Sequence, residues 1–445
     1  MGSRTKVSAT LILAAVLALA LAATGLAGSA RTELVSVNSS GEPGNDDSAA
    51  DANSFRPAIS ADGRYIAFTS EASNLVPGDT NGDWDVFVRD RELGTTERVS
   101  LSSTGREGNR NTFEPAISAD GRYVAFRSYA SNLVARDTNG TWDVFVRDRE
   151  LGTTERVSVS STGREGDKAS WAPAISADGR YVAFASQASG LVPDDDHFAN
   201  FVDVFVRDRK LDTTKRVSVS SSGRRGRGYS DEPAISADGR YVAFASQASN
   251  LVPRDTNDDW DVFVRDRKRH VTRRVSVSSS GHQARRHGAN PPPSSGISAD
   301  GRYVAFVAAA SNLVPRDTNG VPDVFVRDRK RHTTRRLSVS STGQQGAGRS
   351  RSPAISANGR YVAFASTASN LVAGDTNGFS DVFVRDRTRD KTRRVSISSS
   401  GQPGNRFSIY PAISADGRYV AFASTASNLI AGDTNDFDVF IRGPI

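Results

Sequence analysis

Residues 115–161 read PAISADGRYVAFRSYASNLVARDTNGTWDVFVRDRELGTTERVSVSS, and most of the chain is this stretch copied seven times. The copies open at Pro57, Pro115, Pro173, Pro233, Ser295, Pro353 and Pro411, giving successive spacings of 58, 58, 60, 62, 58 and 58 residues. A period running from end to end overrides the two or three domains that 445 residues would otherwise suggest, and points to one closed repeat architecture.

Each copy reads as four strands. Residues 115–118 begin on Pro115, at a strand start where the missing N–H costs no ladder bond. The turn Asp120-Gly121 leads into residues 122–128, whose alternating sides are both apolar, as expected for a sheet packed on both faces. A loop from Tyr129 to Trp142 precedes a third strand at 143–148, and a shorter turn precedes a fourth at 155–160. Such a unit is stable only between neighbours, which predicts an all-β fold, a seven-bladed β-propeller of four-stranded antiparallel blades filling residues 31–445. The chain ends are complementary. Residues 31–41, RTELVSVNSSG, match the tail of the repeat (TTERVSVSSTG, 153–163), whereas the seventh copy reaches only its third strand, at Arg442. Residues 32–37 are therefore expected to complete the last blade and close the ring.

Residues 1–30 stand apart. Arg4 and Lys6 give a positive start, residues 9–26 are almost entirely Ala, Leu, Val and Ile, and Gly28-Ser29-Ala30 supplies small residues for cleavage. This is the pattern of a secretory signal peptide, although the same run, if retained, is long enough to anchor the chain in a bilayer. It predicts a secreted, periplasmic or cell-wall-associated protein. With no cysteine there is neither a disulfide framework nor a lipid-attachment thiol, so packing alone must supply stability. The formal charge is +7, and of 57 basic residues only 7 are lysines.

The recurring SADGRYVAF resembles the SPDGxxIAF core of TolB-like, WD40-like propeller repeats of the PD40 type, and the resemblance covers the chain beyond residue 30. It implies the propeller fold and, from the family's range, either a partner-binding role or association with prolyl oligopeptidase-like peptidases. The chain has no hydrolase domain and no Gly-x-Ser-x-Gly elbow, so peptidase chemistry is not implied.

Strand parity sorts the loops. The loop between strands two and three shares a face with the loop between blades, and both are long. All four tryptophans fall in them: Trp84, Trp142 and Trp260 before third strands, and Trp171 two residues before a first strand. With Phe55, Phe113, Arg351 and Tyr410 they form the candidate ligand-binding set at the channel mouth, where aromatic planes suit a sugar or peptide. On the same face the motif Asp-Thr-Asn-Gly-x-x-Asp places Asp79, Asn81 and Asp85; Asp137, Asn139 and Asp143; Asp317, Asn319 and Asp323; and Asp375, Asn377 and Asp381, with Asp255, Asn257 and Asp261 as a variant. Oxygen ligands at alternate positions make calcium the candidate cofactor, while Asp/Asn-Gly turn chemistry explains the same letters without metal. Two irregular loops carry His197, His282 and His287, and their convergence would favour an enzyme, a polysaccharide lyase or glycan hydrolase with a metal/His site.

On the opposite face the turn after strand three grows basic along the chain. Residues 89–98 are neutral, whereas residues 265–274 carry +5, and 327–336 and 385–394 are similarly basic. A positive arc facing an anionic surface follows, with no nucleic acid expected given export. The function expected is a monomeric, non-enzymatic binding scaffold for an envelope protein or glycan.

Overall fold

The motifs Tyr-Val-Ala-Phe and Asp-Val-Phe-Val build the two middle strands of each blade. In blade two these are Tyr123–Ser128 and Asp143–Asp148, paired antiparallel with Phe126 opposite Phe145, and the two rings stack 6.0 Å apart. The structure, a computed structural model, describes residues 30–48, 56–193, 201–285, 293–433 and 437–445. Among these are seven four-stranded antiparallel sheets and no helix. The first strands surround a central cavity lined by the repeated Pro-Ala-Ile segments.

Alternation along the middle strands gives each blade one bulky face and one fine-grained face. Phe126 and Phe145 of blade two pack on Ala67, Val86, Val88 and Val99 of blade one. The opposite face of blade two, Ala125, Val144, Val146 and Val157, receives Phe184 and Phe205 of blade three. Large side chains thus meet small and β-branched ones at every joint, so the volumes fill without voids. Burying each phenylalanine contributes roughly 2 to 3 kcal/mol.

Backbone bonds tie the ring at the end of the channel formed by the Asp-Gly turns. Ala119 N donates to Ala177 O at 3.0 Å, Ala177 to Ala237 at 3.0 Å, and the series runs round to Ala415 N donating to Ala61 O at 2.9 Å and Ala61 N to Ala119 O at 2.9 Å. The adjoining turn glycine is required twice over. Gly121 has φ +77°, and a Cβ there would lie 2.2 Å from the ring of Tyr65 on the preceding blade.

The ring closes as the ends imply. Arg31–Leu34 pairs with Asp438–Gly443, placing Thr32 opposite Arg442 and Leu34 opposite Phe440. Val35 N extends the ladder to Val439 O at 2.7 Å. Val35, Val439 and Ile441 then join Phe68 and Phe87 of blade one in a single core.

Strand boundaries differ from the expectation: the closing strand is Arg31–Leu34 rather than residues 32–37, the second strand of blade two begins at Tyr123 rather than Arg122, and its first and fourth strands shift further. The first strand of blade two is Thr112–Ile117, longer than residues 115–118, and its register slips between Phe113 and Ala116. Glu114, at φ +56°, and Pro115 form a bulge there, where proline is tolerated because no ladder donor is needed. The fourth strand is Thr153–Arg156 rather than 155–160. Val157 N still reaches Val144 O at 2.8 Å, but the hydroxyl of Ser158 accepts the Val144 N–H at 3.1 Å and donates to buried Asp143, which turns the chain out of the ladder.

Deleting residues 31–41 strips the last blade of its outer strand and exposes the core shared with blade one. The melting midpoint of the truncated protein is expected to fall by more than about 5 °C. An unchanged midpoint by circular dichroism would show that these residues do not close the ring.

Candidate functional site

In five of the blades a bulge in the first strand pushes the residue before the proline into the left-handed region: Glu114, Ala172, Glu232, Ser352 and Tyr410 have φ between +50° and +56°. Ser352 and Tyr410, with Arg56 of blade one, line the mouth of a central cavity of about 320 Å³ walled by Pro-Ala-Ile, and Glu114, Ala172 and Glu232 hold the equivalent positions. There they meet across the ring. Arg56 of blade one donates to Glu232 of blade four at 3.0 Å and sits 5.9 Å from the centre of the Tyr410 ring. Glu114 accepts the Ala172 N–H at 2.7 Å and lies 3.5 Å from Arg127. Trp171 donates its indole N–H to Asp231 at 3.1 Å.

Burial governs the charges at this mouth. It pushes the Asp231 carboxyl up to about 7, with neighbouring Glu232 adding to the effect. It also raises Glu114, against the pull of Arg127. Burial alone would lower Arg56, but Glu232, Tyr410 and Glu114 together hold it above its ordinary value.

Of the aromatic set named from the sequence, three residues form a row. Trp84 lies 6.1 Å from Phe113, Phe113 lies 5.5 Å from Trp142, and Arg127 covers Trp142 at 4.8 Å and Phe113 at 5.5 Å. Tyr129, not singled out from sequence, meets Trp142 edge-on at 5.3 Å and is 41% exposed. Trp171 turns to Asp231 instead, Trp260 is buried, Arg351 is exposed, and Tyr410 is buried beneath Arg56. Phe55 lies outside the described residues. Of the acidic residues here, Asp231 holds a position expected at the mouth, two before a first-strand proline, whereas Glu114 and Glu232 were missed. The signal that could have found two of them is the variable letter before each proline, which reads Arg56, Glu114, Ala172 and Glu232 in the first four copies.

The repeated Asp-Thr-Asn-Gly loops converge their carboxylates on an arginine. Arg98 stands 3.0 Å from Asp79, 3.1 Å from Asp85 and 2.9 Å from Glu107. Asn81 turns its amide N–H, not its oxygen, to Asp85 at 3.0 Å and to Gly108 O at 2.9 Å. The same grouping recurs with Arg156 on Asp137 and Asp143, Arg274 on Asp255 and Asp261, Arg336 on Asp317 and Asp323, and Arg394 on Asp375 and Asp381. Asn139, Asn257, Asn319 and Asn377 likewise donate to Asp143, Asp261, Asp323 and Asp381. Burial raises Asp85 and Asp137 to about 6. This donor set does not suit calcium, which needs six to eight free oxygens, because the guanidinium already supplies the positive charge. Among the described residues no group of three His, Cys, Asp or Glu is arranged to hold a metal ion.

His197 and His287 lie outside the described residues. His282 is exposed, with Nδ1 2.8 Å from the Ser280 hydroxyl.

No family model matches the sequence, and no curated protein sequence matches it. Solved structures do. The oligogalacturonate lyase of Vibrio parahaemolyticus superposes with TM-score 0.51 at 10% identity, covering 93% of this chain and 97% of that one. The β-propeller domain of the Trilobed protease from Pyrococcus furiosus gives 0.51 at 10%, covering 85% and 91%. TolB from Acinetobacter baumannii gives 0.38 at 15% identity, covering 69% of this chain, which spans 58% of TolB's own length. At these identities the likeness establishes the propeller fold and nothing finer.

Because the folded protein holds Asp231 protonated where the unfolded chain ionises, this group makes stability decline as pH rises from about 4 to about 7. In Asp231→Asn that part of the decline is expected to vanish in urea melts at pH 4, 5.5, 7 and 8. A variant with the same pH slope as the parent would overturn the assignment.

Proposed function

We propose that this protein is an exported, non-enzymatic binding propeller that takes an envelope protein or glycan on its long-loop face. The observation that carries the reading is a set of exposed aromatic rings placed on that face by different blades. Tyr129, Tyr229 and Phe407 are 41%, 40% and 47% exposed, each beside a second ring: Trp142, Phe201 and Phe379. Exposed rings braced by half-buried ones present flat apolar area at little entropic cost, as sugar faces and peptide side chains require. Export rests on the apolar leader at residues 9–26, which lies outside the described residues; no described helix is long and apolar enough to cross a membrane.

The charged mouth favours binding over catalysis. Asp231 is held by Trp171 and Glu232 by Arg56, so both groups are positioned but already engaged. A glycan and cell-wall array probed with the purified protein should yield a ligand whose binding drops roughly tenfold in Tyr129→Ala and in Tyr229→Ala. Both sites are exposed, so the melting temperature should hold. Equal binding by parent and variants would remove the aromatic surface from the site.

The arginine-centred loops are proposed as structural latches that need no calcium. Melting midpoints in millimolar calcium and in chelator are expected to agree within about 1 °C, whereas occupied calcium sites would raise the midpoint in calcium by several degrees.

A further inference from the structure

The turn between strands three and four keeps one backbone arrangement around the ring while its exposed side chains change. Asp90 accepts the N–H groups of Glu92 and Leu93, and Asp266 accepts those of Lys268 and Arg269 in the same way. Two exposed positions on this frame read Leu93 and Glu97, Leu151 and Glu155, and Leu211 and Lys215 in blades one to three. In blades four to six they read Arg269 and Arg273, Arg331 and Arg335, and Arg389 and Arg393. Blades one to three fold without these arginines, so the fold does not demand them.

The change also removes an internal counter-charge. In blades one to three the second arginine of Arg-Asp-Arg stacks on the preceding blade's tyrosine and meets a carboxylate there: Arg91 with Glu33 at 2.9 Å, Arg149 with Glu97, and Arg209 with Glu155. In blades four to six Arg267, Arg329 and Arg387 stack equally well, 4.5, 4.6 and 4.2 Å from the ring centres of Tyr181, Tyr241 and Tyr303. Where the carboxylate stood there is now Lys215, Arg273 or Arg335. Burial holds all three stacked arginines below the usual value, and a nearby arginine adds to this in each case: Arg180, Arg273 and Arg335. Like charges are therefore held close together on one arc, with Asp208, Asp266 and Asp328 offsetting them only in part.

We infer that this arc, carried by Arg269, Arg273, Arg331, Arg335, Arg389 and Arg393, docks a linear phosphate polymer. Repeated cations on successive blades match a chain with a charge on every link, and such binding gains from counterion release in proportion to the phosphates neutralised. Arginine's planar fork pairs with phosphate oxygens two at a time. A second copy of the chain offers no complement, since Glu97 and Glu155 are already paired. Nucleic acid fits less well than a plain polyphosphate. Tyr181, Tyr241 and Tyr303 are each covered by arginine on both faces, as Tyr241 is by Arg240 and Arg329, which leaves these three rings no face for a base, while Tyr361 carries Arg360.

The test is fluorescence anisotropy of the purified protein with labelled long-chain inorganic polyphosphate. Affinity should fall with salt along a log–log slope of roughly −3 or steeper. The combined variant Arg269→Leu, Arg273→Glu, Arg331→Leu, Arg335→Glu, Arg389→Leu, Arg393→Glu gives blades four to six the residues on which blades one and two already fold. It should lose at least about 30-fold in affinity. The converse variant Leu93→Arg, Glu97→Arg, Leu151→Arg, Glu155→Arg lengthens the arc and should bind more tightly. Tyr129→Ala, on the other face, should bind polyphosphate as the parent does, which separates this inference from the long-loop reading. Undiminished binding by the first variant, or equal or tighter binding of polygalacturonate or single-stranded DNA of matched charge, would overturn the proposal.

Discussion

A four-stranded sheet with two apolar faces cannot exist by itself in water, and the way this chain satisfies that constraint decides most of the structure. Each blade presents two stacked phenylalanines on one side and alanine with valine on the other, so every joint is a large face meeting a small one. The asymmetry has a direction, and following it seven times returns to the start. Blade seven offers Ala421, Ala423, Val439 and Ile441 to Phe68 and Phe87 of blade one, completed by Val35 from the closing strand. A ring in which every joint has the same polarity leaves no end blade with an uncovered face.

Polar groups at the joints obey the same logic. The third-strand Arg147 is half-buried, and it reaches back to Ser102 O on blade one at 3.1 Å. Thr154 takes its backbone N–H to Ser103 and its hydroxyl to Leu101 O, also on blade one. Arg122 closes a two-point pair with Asp148 at 3.0 and 2.7 Å, and its guanidinium lies 4.9 Å from the Tyr123 ring centre, with Arg209 of blade three on the other side at 4.5 Å. Each buried cation thus has carbonyls, a carboxylate or a ring around it, as a low-dielectric joint requires. Arg-Asp recurs at the end of the third strand in six of the seven copies. In the fold it is two devices, the arginine reaching to one neighbour and the aspartate to its own blade.

What the letters carried and what they hid follows from the range of each interaction. The period, the third-strand limits of Asp143–Asp148 and the closing strand depend on local patterns or on a repeat compared with itself, so they could be read directly. The bulge at Glu114 and Pro115 is hidden because a proline at a strand start and a proline in a register slip look alike in sequence. The fourth strand moved because Ser158 satisfies Asp143 at the expense of the ladder. At the site, Trp84, Phe113 and Trp142 were visible as aromatic departures from the repeat, and Arg127 was visible too, since Ala185, Ala245, Ala365 and Ala423 occupy its place in other copies. The Arg56–Glu232 contact joins residues 176 apart and arises only because a closed seven-membered ring sets blade one across the channel from blade four.

Positions released from these constraints are where two identical blades can come to do different things. The residue before the proline varies from copy to copy, from Arg56 through Glu114 and Ala172 to Tyr410, and at Arg56 and Tyr410 it lines the channel. The turn after strand three is fixed through its backbone by the aspartate side chain, so its own side chains vary from Leu93 to Arg269 with no change in the frame. The stacked arginines sit between these extremes. They remain in blades four to six after their carboxylates are gone, because the tyrosine ring and a glycine carbonyl, Gly239 O for Arg267 at 2.5 Å, still hold them in place. An arginine kept by its stacking after its neighbouring glutamate has become a cation sits in more positive surroundings, and on this molecule such arginines fall on the successive blades four to six.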